Sequence, residues 1–175
     1  LGDLGRTEGY IARQLKRWNG QFEDARTREV PEVTQAHDRL VEQIPDQGPA
    51  AIVHGDYRLD NCILSPAGEV VSVLDWELCT LGDPLADLGI LMVYWTEPDD
   101  PMAALPGAAT TLEGFPSRAE LVDAYRAAGG RPVGDLDFYV AFAYWKLACI
   151  CLLYTSDAAD DMQCVDLGGR RIIKK

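Results

Sequence analysis

The sequence is poor in the residues from which transition-metal sites are usually built. It has two His and five Cys, and the Cys show neither the paired spacing of a metal site nor the framework of a secreted disulfide protein. It also lacks an uninterrupted apolar run of about 18 residues, the length expected of a membrane helix. These absences predict a protein of the reducing cytoplasm with no membrane-spanning helix.

Basic residues are also comparatively few. The chain has 16 Lys and Arg against 28 Asp and Glu, which gives a formal net charge of −12. A negative charge of this size disfavours nucleic acid and anionic membranes as partners. The 175 residues are 47% hydrophobic, which is typical of one globular domain with a core and argues against disorder.

Apolar periodicity and turn residues predict an α+β fold that is mostly helical. Asp83 is a plausible N-cap, Pro84 a plausible first helical residue, and Ser117 with Glu120 forms a capping box. The Pro-rich segment 96–116 is expected to be a loop or lid. The predicted elements are helices over 9–24, 31–44, 84–95, 117–129 and 135–150, a strand over 50–54, and a β-hairpin of 61–65 and 70–76.

Four polar residues flank the predicted strands in a pattern that suggests chemistry. In "VHGDYRLDNCIL", His54 ends the predicted strand and Asp56 lies in the loop after it, whereas Asn61 begins the hairpin and Asp75 lies at the end of its second strand. Because a short hairpin returns the chain to its start, Asn61 and Asp75 can reach one ion. An amide oxygen and a carboxylate are hard ligands suited to Mg²⁺, and Asp56 stays available to accept a proton from a substrate hydroxyl. This division of roles is that of phosphoryl transfer in kinases.

The motifs "HGDYRLDN", "VLDWE" and "LGDPLADLG" resemble those of the aminoglycoside phosphotransferase and choline kinase superfamily. Within it, the sequence is most similar to the phosphotransferase domains associated with acyl-CoA dehydrogenases. The resemblance implies Asp56 as catalytic base, Asn61 and Asp75 as Mg²⁺ ligands, and ATP as phosphate donor. It also implies that Asp87 accepts hydrogen bonds from the backbone of the catalytic loop.

The resemblance covers residues 1–150 and implies the C-terminal lobe of a protein-kinase-like fold. The N-terminal lobe, which carries most of the nucleotide-binding residues, is missing from the sequence, and we expect the segment to be truncated at both ends. We therefore expect the 175-residue chain alone to have little or no kinase activity.

Three further residues near the motif have open interpretations. His54 is expected to brace the loop rather than carry a proton. Arg58 either lies near phosphate or substrate or forms a surface ion pair. Glu77 either supports the metal site or holds the loop that follows it.

The last 25 residues, 151–175, have a different origin on our interpretation. Back-translation of "CLLYTS" resembles a transposon end used to build sequencing libraries, and back-translation of "VDLGGRRII" resembles the reverse complement of a flow-cell primer. We therefore expect 151–175 to be translated adapter rather than native sequence.

The leading hypothesis is an ATP- and Mg-dependent phosphotransferase acting on a small-molecule hydroxyl, and the resemblance suggests that of a hydroxyacyl-CoA. An aminoglycoside or other amino sugar is the alternative acceptor, and association with an acyl-CoA dehydrogenase is a further expectation. A metal hydrolase would need more His or a bridging carboxylate. A non-catalytic pseudokinase or scaffold would need neither the base nor the metal ligands.

Overall fold

The computed structural model describes residues 5–100, 103 and 108–157. It contains five α-helices and four short strands within these ranges. The helices are α1 (Tyr10–Ala25), α2 (Pro31–Glu42), α3 (Leu85–Tyr94), α4 (Arg118–Ala127) and α5 (Leu136–Asp157), and the strands are β1 (Ala51–Val53), β2 (Cys62–Leu64), β3 (Val70–Val73) and β4 (Thr80–Gly82). The predicted α+β, mostly helical fold is therefore confirmed.

The strands form two separate antiparallel pairs. β2 and β3 are the predicted hairpin, with Cys62 opposite Val73. β1 pairs with β4, so that Ala51 lies opposite Gly82. The sequence analysis missed β4, because a three-residue strand is too short to show period-two alternation. The β1–β4 pair brings the start of the polar loop beside the start of α3.

Helix α5, which corresponds to the helix predicted over 135–150, forms the centre of the core. It packs against α1, α2 and α3, and its Tyr139, Phe142 and Trp145 are buried. The crossing with α3 is close, because a Cβ added to Gly89 would lie 2.5 Å from the Tyr139 carbonyl oxygen. This position on α3 therefore requires glycine.

Asp83 connects α3 to α5 in a way that the sequence did not reveal. Pro84, expected at the first helical position, is instead the residue that precedes the helix. Asp83, predicted as the N-cap, therefore lies one residue before it, and its Oδ1 accepts a hydrogen bond from the Leu85 N–H at 3.1 Å. Its Oδ2 accepts one from the Tyr139 hydroxyl at 2.7 Å. Both oxygens of this buried carboxylate are thus satisfied, and the helix start is tied to the core.

The capping box of α4 is present as predicted. The Ser117 side chain accepts from the Glu120 N–H, and the Glu120 carboxylate accepts from the Ser117 N–H at 2.7 Å. These hydrogen bonds lower the pKa of Glu120 below its ordinary value. At the other end of the helix, Gly129 adopts φ +84°, as expected of a helix-terminating glycine.

Replacing Ser117 by Ala should lower the free energy of unfolding by about 1 kcal/mol, because the Glu120 N–H loses its partner. Urea denaturation of the wild type and the variant measures this difference. Ser117→Asp restores an oxygen acceptor and should recover most of the loss. Equal stability of the wild type and Ser117→Ala would contradict the capping role.

One helix segment, Leu136–Leu153, is long and apolar enough to cross a membrane by length and composition, with a mean hydropathy of 1.6. Asp137 and Lys146 interrupt its apolar residues, so the sequence shows no unbroken apolar run there. The segment packs in the core against three helices, and core helices of soluble proteins commonly have this composition. The absence of a membrane partner stays a prediction.

The proposed adapter segment lies mostly outside the described residues. Its first part, 151–157, continues α5 to Asp157, whereas 158–175 are not described. Part of the expected loop, 101–102 and 104–107, is likewise outside the described residues. The boundary at Ile150 stays a prediction.

Candidate active site

The polar loop that follows β1 turns sharply at Gly55. This residue is buried and adopts φ +87°. A Cβ at this position would lie 3.1 Å from both the Cβ and the carbonyl oxygen of Leu78. Because side-chain-bearing residues rarely adopt this conformation, glycine allows the loop to pack tightly against the turn at Trp76–Leu78.

Asp87, on the first turn of α3, holds the backbone of this loop. Its Oδ2 accepts a hydrogen bond from the His54 N–H at 2.6 Å, and its Oδ1 accepts one from the Gly55 N–H at 2.8 Å. These are the backbone hydrogen bonds that the resemblance implied. Burial raises the pKa of Asp87, and the two hydrogen bonds and the nearby Lys146 oppose that rise.

His54 connects the loop to the end of the hairpin. Its Nε2 is 2.7 Å from the Leu74 carbonyl oxygen, and its Nδ1 accepts a hydrogen bond from the Asp56 N–H at 3.2 Å. The ring is buried and lies 4.8 Å from the ring of Trp76. Both ring nitrogens have structural partners, so the geometry favours the predicted bracing role over proton transfer.

Asp56 and Asn61 are in direct contact. The Asn61 Nδ2 donates to the Asp56 carbonyl oxygen at 2.7 Å and to Asp56 Oδ2 at 3.1 Å. The Asp56 side chain is 34% exposed, so a substrate could reach it. The Asn61 amide nitrogen thus faces Asp56.

Asp75 lies two residues beyond β3, and Asn61 directly precedes β2, the strand that pairs with β3. The Leu74 N–H donates to the Asn61 carbonyl oxygen at 2.8 Å, so the backbone of Asn61 is paired with that of the residue before Asp75. Asp75 has φ +64° and is, among the described residues, the one non-glycine residue with positive φ. Such a conformation costs about 1 kcal/mol or more and is concentrated at functional sites.

Arg58 contacts the residues of the candidate site, whereas Glu77 is exposed. The Arg58 Nε lies 3.7 Å from Asp56 Oδ2, and the guanidinium stacks over Tyr94 with its carbon 4.6 Å from the ring centroid. Arg58 is therefore packed against the site rather than free on the surface. Glu77 is exposed in the turn after Asp75, which leaves its two interpretations open.

Known proteins resemble this chain over most of its length. The model of the phosphotransferase enzyme family matches residues 1–121. The chain belongs to the phosphotransferase enzyme family. The resemblance predicted from the three motifs is confirmed.

Individual relatives give the same result. Mouse acyl-CoA dehydrogenase family member 10 is 35% identical over 154 residues, and human acyl-CoA dehydrogenase family member 11 is 34% identical over 154. Each match covers 86% of this chain but only 14% and 20% of the two relatives. The chain thus spans a fifth or less of these curated relatives.

Two solved structures share the fold. A crystal structure from Ralstonia eutropha JMP134, assigned as an aminoglycoside phosphotransferase, superposes with a TM-score of 0.75 at 34% identity, over 93% of this chain and 51% of that one. A type I macrolide 2'-phosphotransferase has a TM-score of 0.56 at 24% identity, over 91% of this chain and 46% of that one. The described helices and strands are thus part of a kinase-like phosphotransferase fold, as predicted.

The candidate ligands predicted from the sequence have the chemistry of a magnesium site rather than of a transition-metal site. Among the described residues, no cluster of three or more His, Cys, Asp and Glu could hold a metal. Asn61 and Asp75 would supply two oxygen ligands at most, which would leave positions for water and phosphate, the arrangement that Mg²⁺ prefers. If bound there, Mg²⁺ would offset the charge of the phosphate oxygens.

A cavity of about 560 Å³ borders the loop that carries Asp56, and its lining is mostly apolar. Tyr57, which follows Asp56, and Leu59 belong to this lining. Trp95 and Phe115 belong to it as well, and the Trp95 ring nitrogen donates a 2.8 Å hydrogen bond to the Pro116 carbonyl oxygen.

Sequence analysis missed one charged residue of this site, Lys146 on α5. Its ammonium donates to the Gly55 carbonyl oxygen at 2.8 Å. The sequence contained a signal, because Lys146 is the one basic residue within the apolar helix predicted over 135–150.

Proposed function

We propose that this chain carries the catalytic loop and metal ligands of an ATP- and Mg-dependent phosphotransferase that acts on a small-molecule hydroxyl. The observation that carries the proposal is the contact between Asp56 and Asn61, at the entrance of a loop whose backbone is held by Asp87. This contact places a partly exposed carboxylate beside an amide ligand.

In the proposed reaction the acceptor oxygen bonds to the γ-phosphorus of ATP, while the bond between that phosphorus and the β,γ-bridging oxygen breaks and ADP leaves. Asp56 accepts the proton of the acceptor hydroxyl. Asn61 and Asp75 would hold the magnesium ion, and Arg58 is close enough to Asp56 to neutralise charge on the transferred group.

A hydroxyl on an acyl chain, as in a hydroxyacyl-CoA, is the acceptor that we favour. The apolar cavity beside Tyr57 and Leu59 supports it, because an alkyl chain would gain from burial there. The names of the acyl-CoA dehydrogenase relatives also support it, and association with such a dehydrogenase is part of the proposal. The proposed compartment is the cytoplasm.

An amino sugar is the second candidate acceptor, favoured by the Ralstonia structure assigned as an aminoglycoside phosphotransferase. A polyamine-like sugar would need acidic groups around the acceptor pocket, and the cavity includes Glu113. We further propose that the 175-residue chain transfers little phosphate by itself, because it spans 51% of that neighbour.

Phosphate transfer from Mg-ATP to a panel of hydroxyacyl-CoAs and a panel of amino sugars tests the proposal. The full-length protein containing this chain should phosphorylate a member of one panel and lose the activity when EDTA removes magnesium. Nucleotide binding without transfer would favour a scaffold, and ATP-independent release of phosphate from phosphorylated compounds would favour a hydrolase. Either result would contradict the proposed activity.

A further inference from the structure

Lys146 places a positive charge inside the apolar core. The residue is 9% exposed, and its ammonium lies 5.3 Å from the ring centroid of Trp18 on α1. Two of its neighbours on α5, Phe142 and Cys149, are buried. A buried ammonium is costly unless it is hydrogen-bonded and balanced by opposite charge, so its surroundings must compensate it.

The catalytic loop supplies this compensation. The Lys146 ammonium donates to the Gly55 carbonyl oxygen at 2.8 Å. Three charged groups on other elements act on it. Burial lowers the pKa of Lys146, the carboxylates of Asp56 and Asp87 oppose that change, and Arg17 on α1 adds to it. The lysine is thus balanced by the two carboxylates whose loop it contacts.

The backbone of residues 54–56 is held by side chains at nearly every polar group. Asp87 accepts from the His54 and Gly55 N–H groups, and the His54 ring accepts from the Asp56 N–H. Asn61 donates to the Asp56 carbonyl oxygen. The Gly55 carbonyl oxygen is held by Lys146, 91 residues farther along the chain.

This carbonyl belongs to the peptide that joins Gly55 to Asp56. Rotation about the bond from Cα to the carbonyl carbon of Gly55 would move this oxygen and, with it, Asp56 and its carboxylate. Gly55 has no side chain to resist such rotation, and its φ of +87° lies in a region that glycine alone enters easily. A donor fixed in the core therefore restrains the direction of the Asp56 side chain.

We propose that Lys146 is a positioning residue for phosphate transfer, which fixes the Gly55–Asp56 peptide and thereby the orientation of the Asp56 carboxylate. The expected effect of Lys146 on catalysis rests on the proposed function, whereas its effect on the conformation of the loop does not. Lys146 lies on α5, beyond the residues 1–121 that the family model matches.

Lys146→Met tests the role, because Met keeps the apolar stem and removes the ammonium. In the full-length protein, kcat should fall about 10²-fold, the effect expected of a catalytic group displaced by about 1 Å. KM for ATP and for the acceptor should change less than about threefold, since Lys146 contacts the loop and neither substrate.

Lys146→Arg, which keeps the charge and the donors, should recover part of kcat. Lys16→Met, at an exposed position on α1, should match the wild type.

Amide hydrogen exchange of the 175-residue chain provides a readout that needs no activity. In Lys146→Met, exchange should become faster in residues 54–61 and stay unchanged in α1 and α3, while Lys16→Met should leave all three protected. Unchanged exchange in 54–61 would overturn the proposal, and so would faster exchange throughout α1, α3 and α5, because that result would make Lys146 a general core residue. If the wild-type full-length protein transfers no phosphate, the proposed function fails, and the exchange result alone then supports or overturns the role of Lys146.

Discussion

Replacing Asp56 by Asn should lower kcat of the full-length protein by about 10²- to 10⁴-fold, the range typical of loss of a general base. The amide has the same shape as the carboxylate but cannot accept the hydroxyl proton. Its oxygen can still receive the hydrogen bond that Asn61 now donates to Asp56, so the loop should keep its structure. KM for ATP should change little, because the proposed role of Asp56 concerns the acceptor proton. Steady-state kinetics with Mg-ATP and the best acceptor from the panels measure both values.

Asp60→Asn is the matched control for this variant. Asp60 lies in the same loop and loses the same charge, but its side chain is 60% exposed and has a 3.7 Å contact with Arg58. Its kcat should stay within about threefold of the wild type, since exposed ion pairs of this kind contribute little. If Asp56→Asn were as active as Asp60→Asn, Asp56 would not be the base, and the central assignment would be wrong.

The helices could be predicted because their signals are local. Helix α1 was expected over 9–24 and lies at Tyr10–Ala25, since its buried Tyr10, Ile11, Leu15 and Phe22 recur at helical spacing. The capping box at Ser117 needs only two residues three positions apart. Helix α2 ends at Glu42 rather than Ile44, a difference of the size that fraying helix ends produce.

Features that depend on distant contacts could not be predicted in the same way. β4 exists because it pairs with β1, and its three residues have no strand pattern of their own. The partner of Asp83 is Tyr139, 56 residues away, and the partner of Gly55 is Lys146. Neither pair has a fixed spacing that a reader of the sequence could use. Both pairs form because α5, which carries Tyr139 and Lys146, packs across the other helices.

In the candidate site, too, local features could be predicted from the sequence and others could not. His54, Asp56 and Asn61 lie within one short loop, so their proximity followed from the sequence, and the hairpin pairs Asn61 with Leu74, the residue before Asp75. The positive φ of Asp75 did not follow, because Asp enters this conformation only occasionally. In the proposed site, binding of a metal ion by the Asp75 carboxylate would offset the unfavourable free energy of this conformation. The candidate ligands could therefore be named from the motif, and their role stays a prediction, whereas the backbone conformation of Asp75 could not be predicted.

Replacing Asp87 by Asn should lower the free energy of unfolding of the 175-residue chain by about 3 kcal/mol. The carboxylate accepts two N–H groups from the loop, and hydrogen bonds to a charged group contribute about 1.5 to 3 kcal/mol each. Asn keeps one acceptor oxygen and turns an NH₂ group toward the second N–H. The raised pKa of Asp87 shows that burial of its charge is itself unfavourable, so the loss should be smaller than the sum of two such bonds. For a domain of this size the midpoint of thermal unfolding should fall by roughly 6 to 12 °C.

Urea denaturation measures this loss, and Asp123→Asn is its control. The Asp123 side chain is 75% exposed on α4 and pairs with Arg126 one turn away, so removal of its charge should change stability by less than about 0.5 kcal/mol. The loss in Asp87→Asn should come with faster amide exchange at His54 and Gly55, because those N–H groups lose their acceptors. If Asp87→Asn unfolded at the same urea concentration as Asp123→Asn, the loop would be held by other contacts, and Lys146 would be the first to consider. The two variants thus distinguish two explanations of the loop's stability. In one, the Asp87 carboxylate on α3 holds the loop; in the other, the Gly55 turn and the His54 ring hold it without Asp87.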